Sequence, residues 1–225
     1  METRNITNKS MGSEKALIFS NTILILKGAL MLDRMSLSNF KDLGDSYAVI
    51  VIARAAGIEQ TNVDIVREMM GKDGLCIYVS VNQPFSSMLR IMKKGGIDTR
   101  RIFFIDCITK TSGGTVVDAD NCIYMDSTSN LTELNISISE ALGSMEGKKF
   151  LFFDALSTLM IYNTPSSFAK FAHSVMTKVK SMGVSGIFMV VEGEMSDDIF
   201  SQLEQFSEKT IDLRLDAAGV SGMSA

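Results

Sequence analysis

The sequence predicts an α/β protein: a three-layer, mostly parallel sheet with helices on both faces. Two observations carry this. Apolar runs recur at residues 47–53, 75–81, 102–106, 150–154, 186–191 and 211–215. They are continuous rather than alternating, as strands covered on both faces are. Helical patterns stand between them at 61–70, 84–94, 131–145, 165–182 and 196–206. Strands separated by helices join as right-handed crossovers, which makes the sheet parallel. Ligands of such sheets sit beyond the carboxyl ends of the strands, where Asp106, Asp154 and the pair Asn82-Gln83 fall.

At 225 residues the chain can bury one sizeable core. We divide it into an N-terminal extension, residues 1–35, and one domain, 36–225. Residues 1–14 are polar and read as a tail. Residues 16–32, ALIFSNTILILKGALML, form the one membrane-like segment. At about 17 residues it is at the lower limit for a spanning helix. Ser20-Asn21-Thr22 and Lys27-Gly28 interrupt it, and it lacks the pattern of a signal peptide. Packing on the core or on a neighbouring subunit is expected, with contact to a membrane surface as the alternative.

Ala48 to Asn62 reads as a buried strand, a tight loop and the start of a helix. A phosphate-cradling loop is built on that framework, with glycines, a lysine and a hydroxyl residue in the pattern G-x-x-x-x-G-K-[ST]. Aligned on Thr61, the pattern puts Arg54 and Glu59 where glycines belong and Gln60 where the lysine belongs, with Gly57 inside the loop. Only the hydroxyl remains. Arg54 reads as a solvent-facing side chain at a strand end, with a compensating cation as the alternative. Further along, Thr61-x-x-Asp64 is a possible helix cap, and Thr164-Pro165 is a good one. The connection 107–130 is long and polar, with room for a small strand at 122–125 and for a partner or lid segment.

Asp154 closes the run Phe150-Leu151-Phe152-Phe153 and precedes Ala155-Leu156-Ser157. An acid at the tip of a buried strand beside a phosphate loop is how such proteins hold Mg²⁺. Its bland counterpart is an aspartate that caps the next segment or bonds the Thr61 hydroxyl. Asp154 and Thr61 are therefore the candidate Mg²⁺ ligands if a nucleotide binds; otherwise no metal is expected.

Together these stretches resemble the RecA-like, KaiC-type ATPase superfamily, in a degenerate form of the kind found in archaeal genomes. The resemblance rests on Leu75-Cys76-Ile77-Tyr78-Val79-Ser80, on Gly96-Ile97-Asp98 leading into residues 102–106, and on Phe152-Phe153-Asp154-Ala155-Leu156-Ser157. It covers roughly residues 36–216. In the family the second strand runs on into two acidic residues, one of which polarises the attacking water. Here those positions are Asn82 and Gln83, amides that take up no proton at neutral pH. The resemblance also implies side-by-side association around the nucleotide edge.

Net charge is −4 and the isoelectric point about 5.1, so nucleic-acid binding is not expected. Cys76, Cys107 and Cys122 read as buried thiols of a cytoplasmic protein. His173, the one histidine, falls on the wetter side of its helix with no triad partner in view. The expected function is that of a catalytically inactive RecA/KaiC-like domain with no cofactor, acting on protein partners: copies of itself or an active relative. The alternatives are an ATP- and Mg²⁺-binding switch and a peripheral membrane adaptor.

Overall fold

The computed structural model describes residue 40 and residues 43–214. The segment 16–32, the extension 1–35 and the last residue of the predicted strand 211–215 lie outside the described residues. The elements are β1 (Ala48–Ala53), α1 (Ile58–Met70), β2 (Leu75–Ser80), α2 (Phe85–Lys94), β3 (Ile102–Asp106), β4 (Cys122–Tyr124), α3 (Leu131–Ser144), β5 (Lys149–Asp154), α4 (Pro165–Ser181), β6 (Ser185–Val191), α5 (Asp197–Glu204) and β7 (Lys209–Asp212). Short 3₁₀ turns precede β3 and follow β5, at Thr99–Arg101 and Leu156–Ile161.

The seven strands form one sheet in the order β4-β3-β2-β5-β6-β1-β7, and every pairing is parallel. The predicted extra strand at 122–125 exists as β4, at the edge beside β3. β1, β2, β5 and β6 are apolar along nearly their whole length because helices cover both of their faces. On one face Val49, Val51, Tyr78, Phe104, Phe152 and Met189 pack with Val63, Val66, Met88 and Met92 of α1 and α2. On the other, Ile50, Ile77, Val79, Phe153 and Phe188 pack with Ile138, Phe168, Val175 and Leu203 of α3, α4 and α5. Gly186 lets the second layer close: a Cβ there would come within 2.7 Å of the Phe188 ring and 3.0 Å of Val179 Cγ2.

The register aligns the strand tips. Ser80 stands beside Asp106 on one side and Asp154 on the other. Two residues earlier Tyr78 stands between Phe104 and Phe152, its ring 5.9 and 5.1 Å from theirs. Side chains two apart share a face of a strand, so Tyr78 and Asp154 project on the α1–α2 side together.

One helix start departs from the sequence reading. α1 begins at Ile58, not at Thr61, and its N-cap is Gly57 with no side-chain cap. Thr61 therefore lies inside the helix and does not cap it. The local signal was Ala55-Ala56-Gly57, a turn closed by a glycine in the left-handed region at φ 86°. Thr164 does cap α4, accepting from the Ser167 amide, with Pro165 in the first turn. All three cysteines are buried and free. His173 is exposed, with its ring 4.4 Å from that of Phe206. Among the described residues no helix is long and apolar enough to cross a membrane.

Candidate functional site

Beyond the carboxyl ends of β1, β2 and β5 lies a pocket of about 370 Å³. The β1–α1 turn and the first turns of α1 give it Ala55, Gly57, Ile58, Glu59 and Asn62. The β2–α2 turn gives Asn82 and Gln83, α2 gives Met88 and Ile91, and β5 gives Asp154. Of the residues singled out in the sequence, Gly57, Glu59, Asn82, Gln83 and Asp154 thus meet in one cavity. Arg54, Gln60, Thr61 and Ser157 do not line it.

The reasons for the second group are local. β1 ends at Ala53 and α1 starts at Ile58, so the connecting turn has only residues 54–57. Its carbonyls take the first amides of α1: Ile58 N–H donates to the Ala55 carbonyl, and Gln60 and Thr61 N–H both donate to the Gly57 carbonyl at 3.1 Å. The Thr61 hydroxyl turns back to the same carbonyl at 3.3 Å. The Gln60 amide donates to Asp64 Oδ1 at 2.9 Å, along the outer side of the helix. Glu59 takes up helical backbone, and Gly57 alone carries the positive φ, so the left-handed conformation expected of a glycine at position 59 is not required there. Arg54 is exposed; hydrogen bonds from Arg214 hold the Asp212 carboxyl below its ordinary range, and the charges of Arg214 and Arg54 add to them. Ser157 is buried. Its hydroxyl donates to Glu194 Oε2 at 2.7 Å and accepts from the Val191 amide at 3.0 Å, which ties the β5 and β6 tips together.

At the floor, Asp154 is 4 % exposed and its Oδ2 accepts from the Tyr78 hydroxyl at 2.6 Å. Burial lifts the Asp154 carboxyl above its ordinary pKa. Hydrogen bonds from Tyr78 and Asn62 oppose the rise, and the charge of Glu59 adds to it. Burial likewise lifts the Tyr78 hydroxyl well above its ordinary value, with the Asp154 charge acting in the same direction. Asn62 is 2 % exposed, and its Oδ1 has no hydrogen-bond partner. At the rim Gln83 Nε2 reaches Glu59 Oε1 at 3.4 Å. Among the described residues no group of three or more His, Cys, Asp or Glu side chains is placed to hold a metal ion.

Sequence reasoning missed Asn62, which follows Thr61 and looked like an ordinary helix residue. It also missed the Tyr78–Asp154 contact, which depends on the β2–β5 register. Asp106, noted only as lying at the strand ends, proves to be a clamp. It accepts the Phe85 amide at 2.7 Å, the Ile108 and Thr109 amides at 2.8 Å, and the Thr109 hydroxyl. It fixes the start of α2, and with it Met88 and Ile91.

A family model, described as a family of unknown function (DUF7504), matches residues 63–213. None of the curated proteins matches. Three solved structures from Pyrococcus horikoshii are similar in fold. The uncharacterized protein PH0321, in complex with an unknown peptide, is 13 % identical, with a TM-score of 0.54, over 74 % of this chain and 77 % of that one. A structural study of PH0250 gives 13 % identity and a TM-score of 0.53 over 79 % and 87 %. The KaiC-like protein PH0186 gives 11 % and 0.52 over 75 % and 71 %. The expected fold is found: a three-layer α/β domain of the RecA/KaiC-like kind.

Proposed function

The chain belongs to a family of unknown function (DUF7504), and from that premise we propose that it is a RecA/KaiC-like pseudo-ATPase. In this reading it carries a degenerate phosphate loop, performs no hydrolysis, and regulates or scaffolds through protein–protein contacts. The observation that carries the reading is the missing cation: a phosphate cradle sets a cation beside its backbone N–H groups, and none lines this pocket. The residue at the lysine position, Gln60, bonds Asp64 instead. The pocket has no lysine or arginine in its lining and two carboxylates, Glu59 and Asp154. At an effective dielectric of ~20 and a separation of ~4 Å, each unit-charge contact is worth about 4 kcal/mol. Exchanging an attraction for a repulsion disfavours a triphosphate even after screening.

Two features support action on proteins. Val116, Val117 and Ile161 (71 % exposed) hold apolar side chains in solvent, in segments that leave the carboxyl ends of β3 and β5. A protein of similar fold was solved in complex with an unknown peptide. Partners of the expected kind are a second copy of this chain or an active RecA/KaiC-like relative.

The test is a thermal melt with and without ATP and Mg²⁺, beside a hydrolysis assay on the same sample. A ligand at 100 times its Kd stabilises by about 2.7 kcal/mol, so a shift of several degrees at millimolar ATP refutes the reading. A solution-size measurement that finds only monomer, alone and with candidate relatives, counts against the partner half. The competing nucleotide switch needs the Thr61 hydroxyl to leave the Gly57 carbonyl and Arg54 to leave the Asp212 side. A membrane adaptor would work through residues 16–32, and liposome co-sedimentation with and without residues 1–35 tests it.

A further inference from the structure

The pocket that holds no phosphate cradle is not featureless. Asn62 Oδ1 is buried without a partner, and a buried acceptor in that state is uncommon because it forfeits its bond to water. Asn62 belongs to the lining, beside two carboxylates, Glu59 and Asp154, and the amides Asn82 and Gln83. Asp154 is itself buried, with one oxygen taken by Tyr78. Two cations, Arg67 and Lys94, line an adjoining groove. Arg67 is tied there to Asp64 at 2.6 Å and to the Gly95 carbonyl. The polar side of the cavity is therefore rich in acceptors and has no cationic side chain. Its other side is apolar: Ala55, Ile58, Met88 and Ile91. A volume of about 370 Å³ suits a small molecule or one side chain.

We propose that this pocket binds an aliphatic ammonium group. Its N–H bonds are donated to Asn62 Oδ1 and to the Asp154 and Glu59 carboxylates, and its carbon stem lies against Ile58, Met88 and Ile91. The cation supplies the donor that Asn62 lacks and offsets the negative lining, two demands that no phosphate or carboxylate ligand meets. The chemistry is the same whether the ammonium belongs to a free amine or to a lysine side chain of a protein partner. The inference rests on the reading that the site does not take a triphosphate.

The experiment is calorimetric titration of the full chain with four probes: 1,5-diaminopentane, a lysine blocked at both ends of its backbone, 1-pentanol, and ATP with Mg²⁺. Saturable binding of either ammonium probe, with none of 1-pentanol, is the expected result. Binding of the diamine alone assigns the site to a free amine, and binding of the blocked lysine assigns it to a partner's side chain. Losing one charged hydrogen bond lowers affinity about tenfold or more. Glu59→Gln and Asp154→Asn should each do so, while Asp120→Asn, in the exposed loop before β4, leaves affinity unchanged. Glu59 is exposed, so its variant stays informative even if Asp154→Asn folds poorly. No saturable binding of either ammonium probe overturns the proposal, and so does binding that neither pocket variant weakens. ATP binding overturns the pseudo-ATPase reading itself; silence from both ATP and the amines overturns only the ammonium site.

Discussion

Replacing Tyr78 by phenylalanine removes one oxygen and nothing else from the interior. The ring keeps its neighbours, Phe152 at 5.1 Å and Phe104 at 5.9 Å, so apolar packing is conserved. What is lost is a 2.6 Å hydrogen bond to a carboxylate that is 4 % exposed. A bond of this kind to a charged group contributes about 1.5–3 kcal/mol, against about 1 kcal/mol when both partners are neutral. The difference sets a pH signature. Burial raises the folded-state pKa of Asp154, so its proton is held more tightly in the folded chain than in the unfolded one. Its contribution to stability is greatest below the unfolded value, near 3.9, and declines as pH rises toward the folded value. Tyr78→Phe removes a donor that holds this pKa down, so the decline should extend to higher pH. The loss on substitution should therefore be smaller near pH 4 than near pH 8, within the span from about 1 kcal/mol for a neutral pair to about 2–3 kcal/mol for an ionised carboxylate. Urea denaturation at the two pH values measures it, with Asp154→Asn as the reference in which the dependence flattens. An equal loss at both pH values, or an unchanged pH dependence in Asp154→Asn, refutes the reasoning.

Other outcomes follow from the same geometry. Asp106→Ala leaves the Phe85, Ile108 and Thr109 amides without their acceptor, and denaturant melts should show a loss of about 3–5 kcal/mol. Gly57→Ala meets no atom within 4 Å but sits at φ +86°, so its cost of about 1 kcal/mol should be purely conformational and should appear as a lower Tm. Gln60→Lys alone should not restore ATP binding in a thermal-shift assay, because position 60 does not line the pocket and two carboxylates, Glu59 and Asp154, do.

The strands were legible because a parallel sheet covered on both faces writes itself as unbroken apolar runs, and residues 47–53, 75–81 and 150–154 are such runs. The small strand at 122–124 was legible for a weaker reason, an apolar interval inside a polar loop. Where the reading slipped, a template was imposed on local signals. An eight-residue phosphate loop ending at Thr61 places the helix start too late, while Gly57 marks the true one. Gln60 and Thr61 fell out of the cavity for the same reason: on a helix their side chains point where the turn directs them. The bond between Tyr78 and Asp154 was not legible at all, since it is written in the pairing of two strands whose sequences lie far apart. Asn62 stayed hidden because an amide inside a helix looks ordinary until its surroundings are known.

The position of β1 has a consequence for how the chain assembles. It is the first strand of the described chain, yet its two neighbours in the sheet are the last two, β6 and β7. Closing that gap joins segments nearly a whole domain apart, the kind of pairing that is made slowly. On a ribosome β1 emerges before every other described strand and meets its sheet neighbours only once β6 and β7 have been synthesised. The turn that follows it, and with it one wall of the pocket, is held by a paired β1 only once β6 and β7 have been made. Occupancy of the cavity would therefore report that β1 has closed against β6 and β7.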